Sequence, residues 1–231
     1  MNFFEIVIYI PVGINIFYGL TMRRTKEDAE KTRQDILASA RDIFYEKGYS
    51  KTTFDEIAKR INLTKGAVYW YFRNKPDIVA ALINEYAQSH LDAVASHITD
   101  DNCNFEQLTN MVIFNNHILK TDATTYKFLF FITCQMEWSE AIINKIYPSI
   151  EQTKQVTRGL FIRVLDNLKT HKKIRSDIDV VMTAEILMAM YSGLMEAYFT
   201  KRLTNDFDNS VKTGFQLVYD SIKTEGTENE N

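Results

Sequence analysis

Three prolines and eight glycines among 231 residues are too few to punctuate a chain of short strands and tight turns. These two residues disfavour a helix interior more than any others, so a chain nearly free of them can stay helical for most of its length. The predicted fold class is all-α. A hydrophobic share of 45% with 25% charged residues fits a soluble globular protein. The length suits one large domain, or a small domain joined to a larger one.

The net charge of −3 conceals an asymmetry about Pro76. Residues 23–76 carry 13 Lys and Arg against 8 Asp and Glu, whereas residues 77–231 carry 14 against 21. A basic block on an acidic body points to one end that meets a polyanion while the rest does something else. Cys103 and Cys134 are too few and too far apart for a disulfide framework or a zinc ligand set, which makes a reducing, cytoplasmic setting the expectation. His90, His97, His117 and His171 form no metal-ligand spacing. No nucleophile elbow, phosphate-cradling glycine loop or H-E-x-x-H motif is present, so the chain reads as neither an enzyme nor a cofactor carrier.

Residues 1–21, MNFFEIVIYIPVGINIFYGLT, are apolar but interrupted by Glu5, Pro11 and Asn15. The stretch barely reaches the roughly 20 residues of a spanning helix and holds a helix breaker near its middle. It also lacks the basic start and small-residue cleavage site of a secretory signal. Translation from Met22 would make it an upstream extension, and a membrane contact is expected only if it is genuinely part of the protein.

Nine or so helices follow from the periodicity. Ile36, Leu37, Ala40, Ile43 and Phe44 mark a first helix over about 25–47, ended by Gly48. Thr53 and Glu56 form a capping box for a short second helix. Asn62 suits the left-handed turn after it, and Thr64 can cap a third helix over about 65–72. Asn74 and Pro76 open a fourth that runs to near Ile98. Later helices are expected at roughly 104–120, 123–138, 144–172, 177–200 and 206–223, with a polar, disordered tail over 224–231. Two short helices joined by a few residues, behind a longer one, read as a helix-turn-helix over about 53–72.

Around that unit, TRQDILASARDIFYEKGYSKTTFDEIAKRINLTKGAVYWYFRNKPDIV resembles the amino-terminal DNA-binding domain of TetR-type transcriptional repressors, from about Thr25 to Val79 without a gap. MRRTKEDAEKTRQ, GAVYWYF and YSGLMEAYF are similar to the AcrR-like branch, which represses multidrug efflux genes. The resemblance implies a DNA-binding domain over 22–76 and a ligand-binding and dimerisation domain over 77–223. It departs from the usual pattern at Asn62, where glycine is common, and at Tyr71, where histidine is frequent.

Val68 and Phe72 lie four apart and belong to the core, whereas residues 69–71 cannot all join them, because successive side chains are about 100° apart. Lys65, Gly66 and Ala67 start the helix that would enter the major groove. Gly66 allows close approach, the Ala67 methyl can meet a thymine methyl, and Lys65 can donate to guanine or phosphate. The resemblance implies that Tyr69 and Tyr71 donate to phosphates, that Trp70 touches sugar or base, and that Lys75 binds phosphate. Thr53 and Thr64 stand at helix amino-termini, where an anion is favoured.

The second domain is rich in aromatic and methionine side chains. Met111, Phe114, His117, Tyr126, Phe130, Cys134, Trp138 and Phe161 are candidates for an apolar effector pocket, which the resemblance puts between helices four and eight. Small and apolar residues on the last two long helices resemble the family's dimerisation pair, implying a homodimer on a near-palindromic operator, released by a small apolar ligand. An alternative of the same fold senses an endogenous metabolite and controls metabolism or envelope lipids. A membrane-tethered interaction protein rests on residues 1–21 alone.

Overall fold

The computed structural model describes residues 25–95 and 104–224. The apolar extension over 1–21, the expected break after Ile98 and the tail beyond Thr224 lie outside them. The described residues form nine α-helices and one π turn: α1 (Lys26–Lys47), α2 (Phe54–Arg60), α3 (Lys65–Tyr71), α4 (Lys75–Ala95), α5 (Phe105–Thr121), α6 (Ala123–Phe130), the π turn Phe131–Gln135, α7 (Glu140–Thr170), α8 (Val180–Phe199) and α9 (Phe207–Ile222).

Local chemistry sets most of these limits. Thr25, Thr53 and Asn104 each close a reciprocal capping box, and Asn74 Oδ1 accepts from the Asp77 amide at 2.9 Å to start α4. Gly48 ends α1 at φ 83°, the positive region where a side chain is costly. Asn62, Lys172 and Lys201 take φ near 55° after α2, α7 and α8. In each case the next amide reaches back into the last turn, as in Leu63 N to Ala58 O at 2.9 Å.

Three expectations are revised. The sixth helix is not α-helical to 138, because the π turn follows Phe130. The seventh begins at Glu140, where Ser139 caps it, so Pro148 stands inside a helix rather than near its start. Thr224 is not part of a loose tail: its amide donates to Lys173 O at 3.1 Å, beside the bridge between Ile174 and Lys223.

Two hydrophobic cores result. The first unites Ile36, Phe44, Ile57, Val68 and Phe72 of the amino-terminal helices with Ile78, Val79 and Leu82 of α4. It does not stop at Pro76, for Phe128, Phe131, Met136 and Ile146 complete it, and the Phe131 ring stacks on Phe44 at 4.7 Å. Truncating such a buried phenylalanine to alanine costs about 3–5 kcal/mol, so the head depends on residues from the body. Polar ties run alongside: Lys127 to Asp42 and Lys145 to Asp77, both at 2.9 Å, and Gln135 Nε2 to Tyr45 O at 3.0 Å. The second core joins α5, α7, α8 and α9 through Leu108, Val164, Leu187, Val211 and Phe215.

Candidate nucleic-acid interface and effector cavity

Helix α2 is clamped to α1. Ser39 Oγ donates to Ile57 O at 3.0 Å in a buried position, and Arg60 pairs with both oxygens of Glu46 at 2.8 and 2.6 Å. Helix α3 is anchored by one face only, through Val68 and the adjoining Phe72, both buried. The other rings divide as a helical turn requires. Tyr69 is 50% and Trp70 75% exposed, and Tyr71 is half-buried against the first core. Tyr69 rests on Phe54 at 4.7 Å, and Trp70 stands edge-on to Tyr71 at 4.6 Å. The ammonium of Lys65 sits 5.7 Å from the centre of the Tyr69 ring.

Thr64 Oγ1 accepts from the Ala67 amide at 3.2 Å, and the first turn of α3 contains no acid. Around Gly66 there is room: an added Cβ would meet only Thr64 Oγ1, at 3.9 Å. The glycine is therefore not demanded by any close neighbour within the chain. At α2 the arrangement differs. Thr53 donates its hydroxyl to Glu56 Oε2 at 2.8 Å, and the same carboxylate binds Lys47. The Lys47 ammonium, followed by Thr53, holds the Glu56 carboxyl down to about 2.

Lys75 is turned inward. Its ammonium lies 4.4 Å from the centre of the Tyr49 ring and donates to Tyr49 O at 2.6 Å and Ser50 O at 3.3 Å. Burial lowers its pKa, partly offset by Glu137. Two of its three donors are thus engaged within the chain, leaving one for an outside acceptor. Glu137 also takes a hydrogen bond from Ser50, another tie between head and body.

A cavity of about 180 Å³ lies among α4, α5, α6, α7 and α8. Of the expected pocket residues, Met111 and Phe161 line it. Phe114, His117, Tyr126, Phe130, Cys134 and Trp138 are not in its wall. Tyr126 and Phe130 instead meet Phe199 edge-on at 5.4 and 5.5 Å and face Tyr45 of α1. Cys134 packs beside the second core, where burial raises its thiol pKa. Phe114 is half-buried, and His117 and Trp138 are exposed.

The wall also contains Asn115 and Met188, and it is completed by residues that sequence reasoning missed, such as Tyr86, Leu129, Lys154 and Tyr191. Their signal is the spacing Lys154, Thr157, Phe161 on α7 and Met188, Tyr191, Met195 on α8, but periodicity does not say which stripe faces a void. Tyr191 donates to Asn116 Oδ1 at 2.9 Å, and Asn116 Nδ2 donates to Asp208 Oδ1 at 2.9 Å, so a partly buried polar chain joins the wall to α9. Among the described residues, no group of three His, Cys, Asp or Glu could hold a metal ion.

Outside the cavity, α8 and α9 display apolar side chains, with Met182 59%, Ile186 52% and Leu217 66% exposed. Helix α8 is long and apolar enough to cross a membrane by length and composition.

A half-anchored α3 behind a clamped α2, on a helical body with its own cavity, defines a helix-turn-helix DNA-binding regulator. Residues 36–82 match the model of the bacterial regulatory proteins of the tetR family. The chain is 26% identical over 206 residues to the probable HTH-type transcriptional regulator ArpR of Pseudomonas putida, covering 85% of this chain and 96% of that one. It is 40% identical over 81 residues to the probable acrEF/envCD operon repressor of Escherichia coli K12, 32% of this chain and 37% of that one. The crystal structure of NalD, the secondary repressor of the MexAB-OprM multidrug efflux pump in Pseudomonas aeruginosa, superposes with a TM-score of 0.71 at 21% identity, covering 87% of this chain and all of that one.

Proposed function

We propose that the protein is a ligand-responsive transcriptional repressor that binds a near-palindromic operator as a homodimer in the cytoplasm and controls efflux or transport genes. The observation that carries this reading is the outer face of α3, where Lys65, Tyr69 and Trp70 surround the open amino-terminal turn at Gly66. A recognition helix enters the major groove by that end. In this reading Lys65 and Ala67 meet base edges, Tyr69 and Tyr71 donate to phosphates, Trp70 covers a sugar, and Thr64 donates its hydroxyl to a phosphate at the helix terminus. Lys75 uses its remaining donor on the backbone. Thr53 acts mainly as a cap.

A second copy of the chain would cover Met182, Ile186 and Leu217 and present two copies of α3 to successive grooves. Two helices carry the effector signal. Helix α4 brings Tyr86 to the cavity and Ile78 to the head core, and α6 brings Leu129 to the cavity and Phe128 to that same core. A ligand that prefers one setting of these helices shifts the dimer away from the operator by its differential affinity. The role of NalD as a repressor of a multidrug efflux pump supports efflux genes as the target.

Fluorescence anisotropy on the intergenic DNA beside the protein's own gene tests the proposal. Specific binding should weaken steeply with salt, because each phosphate contact releases counterions. Absent or salt-insensitive binding across that region would overturn it.

A further inference from the structure

Resting on the reading of the cavity as the effector site, we propose that it selects a small hydroxyaryl acid: a flat body of one or two rings, a hydroxyl inside and a carboxylate at the mouth. Size sets the body. At about 180 Å³ the cavity falls below the roughly 300–1,000 Å³ of sites for drug-sized ligands, and Met111, Leu129 and Phe161 make its walls apolar.

The interior calls for a hydrogen-bond donor. Asn115 Oδ1 is buried without a partner, a condition that costs free energy until a donor arrives. The Tyr191 hydroxyl has given its proton to Asn116, so towards the cavity its oxygen can only accept. A ligand hydroxyl supplies what both groups lack.

The mouth calls for an anion. Lys154, Met188 and Ser192 line both the cavity and an adjoining groove between α7 and α8, which puts them at the junction of the two. Lys154 is the one charged residue among those described in the cavity wall, which holds no Asp or Glu. The groove contains Glu151 and Glu185, but Gln155 donates to the first and Arg158 pairs with the second at 3.3 Å. Lys154 is left without a carboxylate partner among the described residues. A bound cation could rest on the rings of Tyr86 and Phe161, but it would share the site with an uncompensated ammonium and find no carboxylate in the wall.

The test is calorimetric titration of the full chain with 6-hydroxy-2-naphthoate, its methyl ester, and the trimethylammonium analogue of the same ring system, with operator release followed by anisotropy in parallel. The acid should bind at least tenfold more tightly than the ester, and the cation should not bind measurably. Lys154→Met should erase the difference between acid and ester while leaving ester affinity within about twofold. Asn115→Leu should weaken the acid relative to 2-naphthoate, which lacks the hydroxyl. Equal or tighter binding of the cation, or an acid preference that survives Lys154→Met, would overturn the ligand class and leave the effector-site reading standing if the cation still releases DNA. Failure of every probe to bind would overturn both.

Discussion

The amino-terminal ends of α2 and α3 begin from the same plan and are completed differently. Each has a threonine whose Oγ1 accepts the amide three residues on, Glu56 for Thr53 at 3.3 Å and Ala67 for Thr64 at 3.2 Å. At α2 that third residue is an acid, so the terminus already holds a carboxylate, which also bonds the Thr53 amide at 3.0 Å and Lys47 of α1. At α3 it is alanine, and no described group takes the Thr64 hydroxyl proton. A helix amino-terminus favours one anion, whichever source provides it. The closed end therefore braces the head, and the open end has room for a phosphate.

The sharpest way to break this comparison is to give α3 the ending of α2. Ala67→Glu completes a Thr-x-x-Glu capping box, so the fold should be retained or slightly stabilised, as thermal unfolding would report. Operator affinity should collapse by more than about 100-fold, or about 2.7 kcal/mol, because in the proposed complex a carboxylate would then face the phosphates and the groove. Retained binding would mean that α3 does not enter DNA by this end.

Removing each cap in turn makes a finer cut. Thr53→Ala and Thr64→Ala should each lower stability by about 1 kcal/mol, the usual value of an N-cap hydroxyl. Their effects on DNA should separate, with Thr64→Ala weakening the operator complex about tenfold at low salt and Thr53→Ala leaving it within about twofold. Equal losses in anisotropy titrations would make the two ends equivalent and return Thr53 to the interface.

The same contrast explains what could be read from the sequence. The head was legible because its signals are local: a threonine and the residue three positions later fix where α2 and α3 begin, and the steps from Val68 to Phe72 fix which rings are buried. The body was legible as helices but not as a site. Its cavity depends on which stripes of five helices face each other, and neighbouring positions such as Phe114 and Asn115 differ by about 100° in direction. Phe130 and Tyr126 were plausible pocket residues on chemistry alone, yet the turn of α6 sends them to Phe199 and Tyr45, while Leu129 reaches the cavity. The dependence of the head on Phe131 had no local signal, because its partner Phe44 is 87 positions earlier in the chain.

The smallest expected effect concerns acid. The Lys47 ammonium and the Thr53 hydroxyl depress the Glu56 carboxyl from 4.5 to about 2 in the folded protein. A depressed value means that folding favours the ionised form, so the support from Glu56 is complete above about pH 4.5 and is lost as pH falls towards 2. Thermal unfolding of the wild type between pH 6 and 2 should therefore fall more steeply below pH 4.5 than that of Glu56→Gln. Because Glu56 is exposed, solvent screening keeps the difference modest. Helix α3 has no such acid limb, and Ala67→Glu should create one by the same physics. If Ala67→Glu unfolded with the wild-type pH profile, its carboxylate would not be capping α3, and any loss of operator binding would have to come from charge repulsion alone.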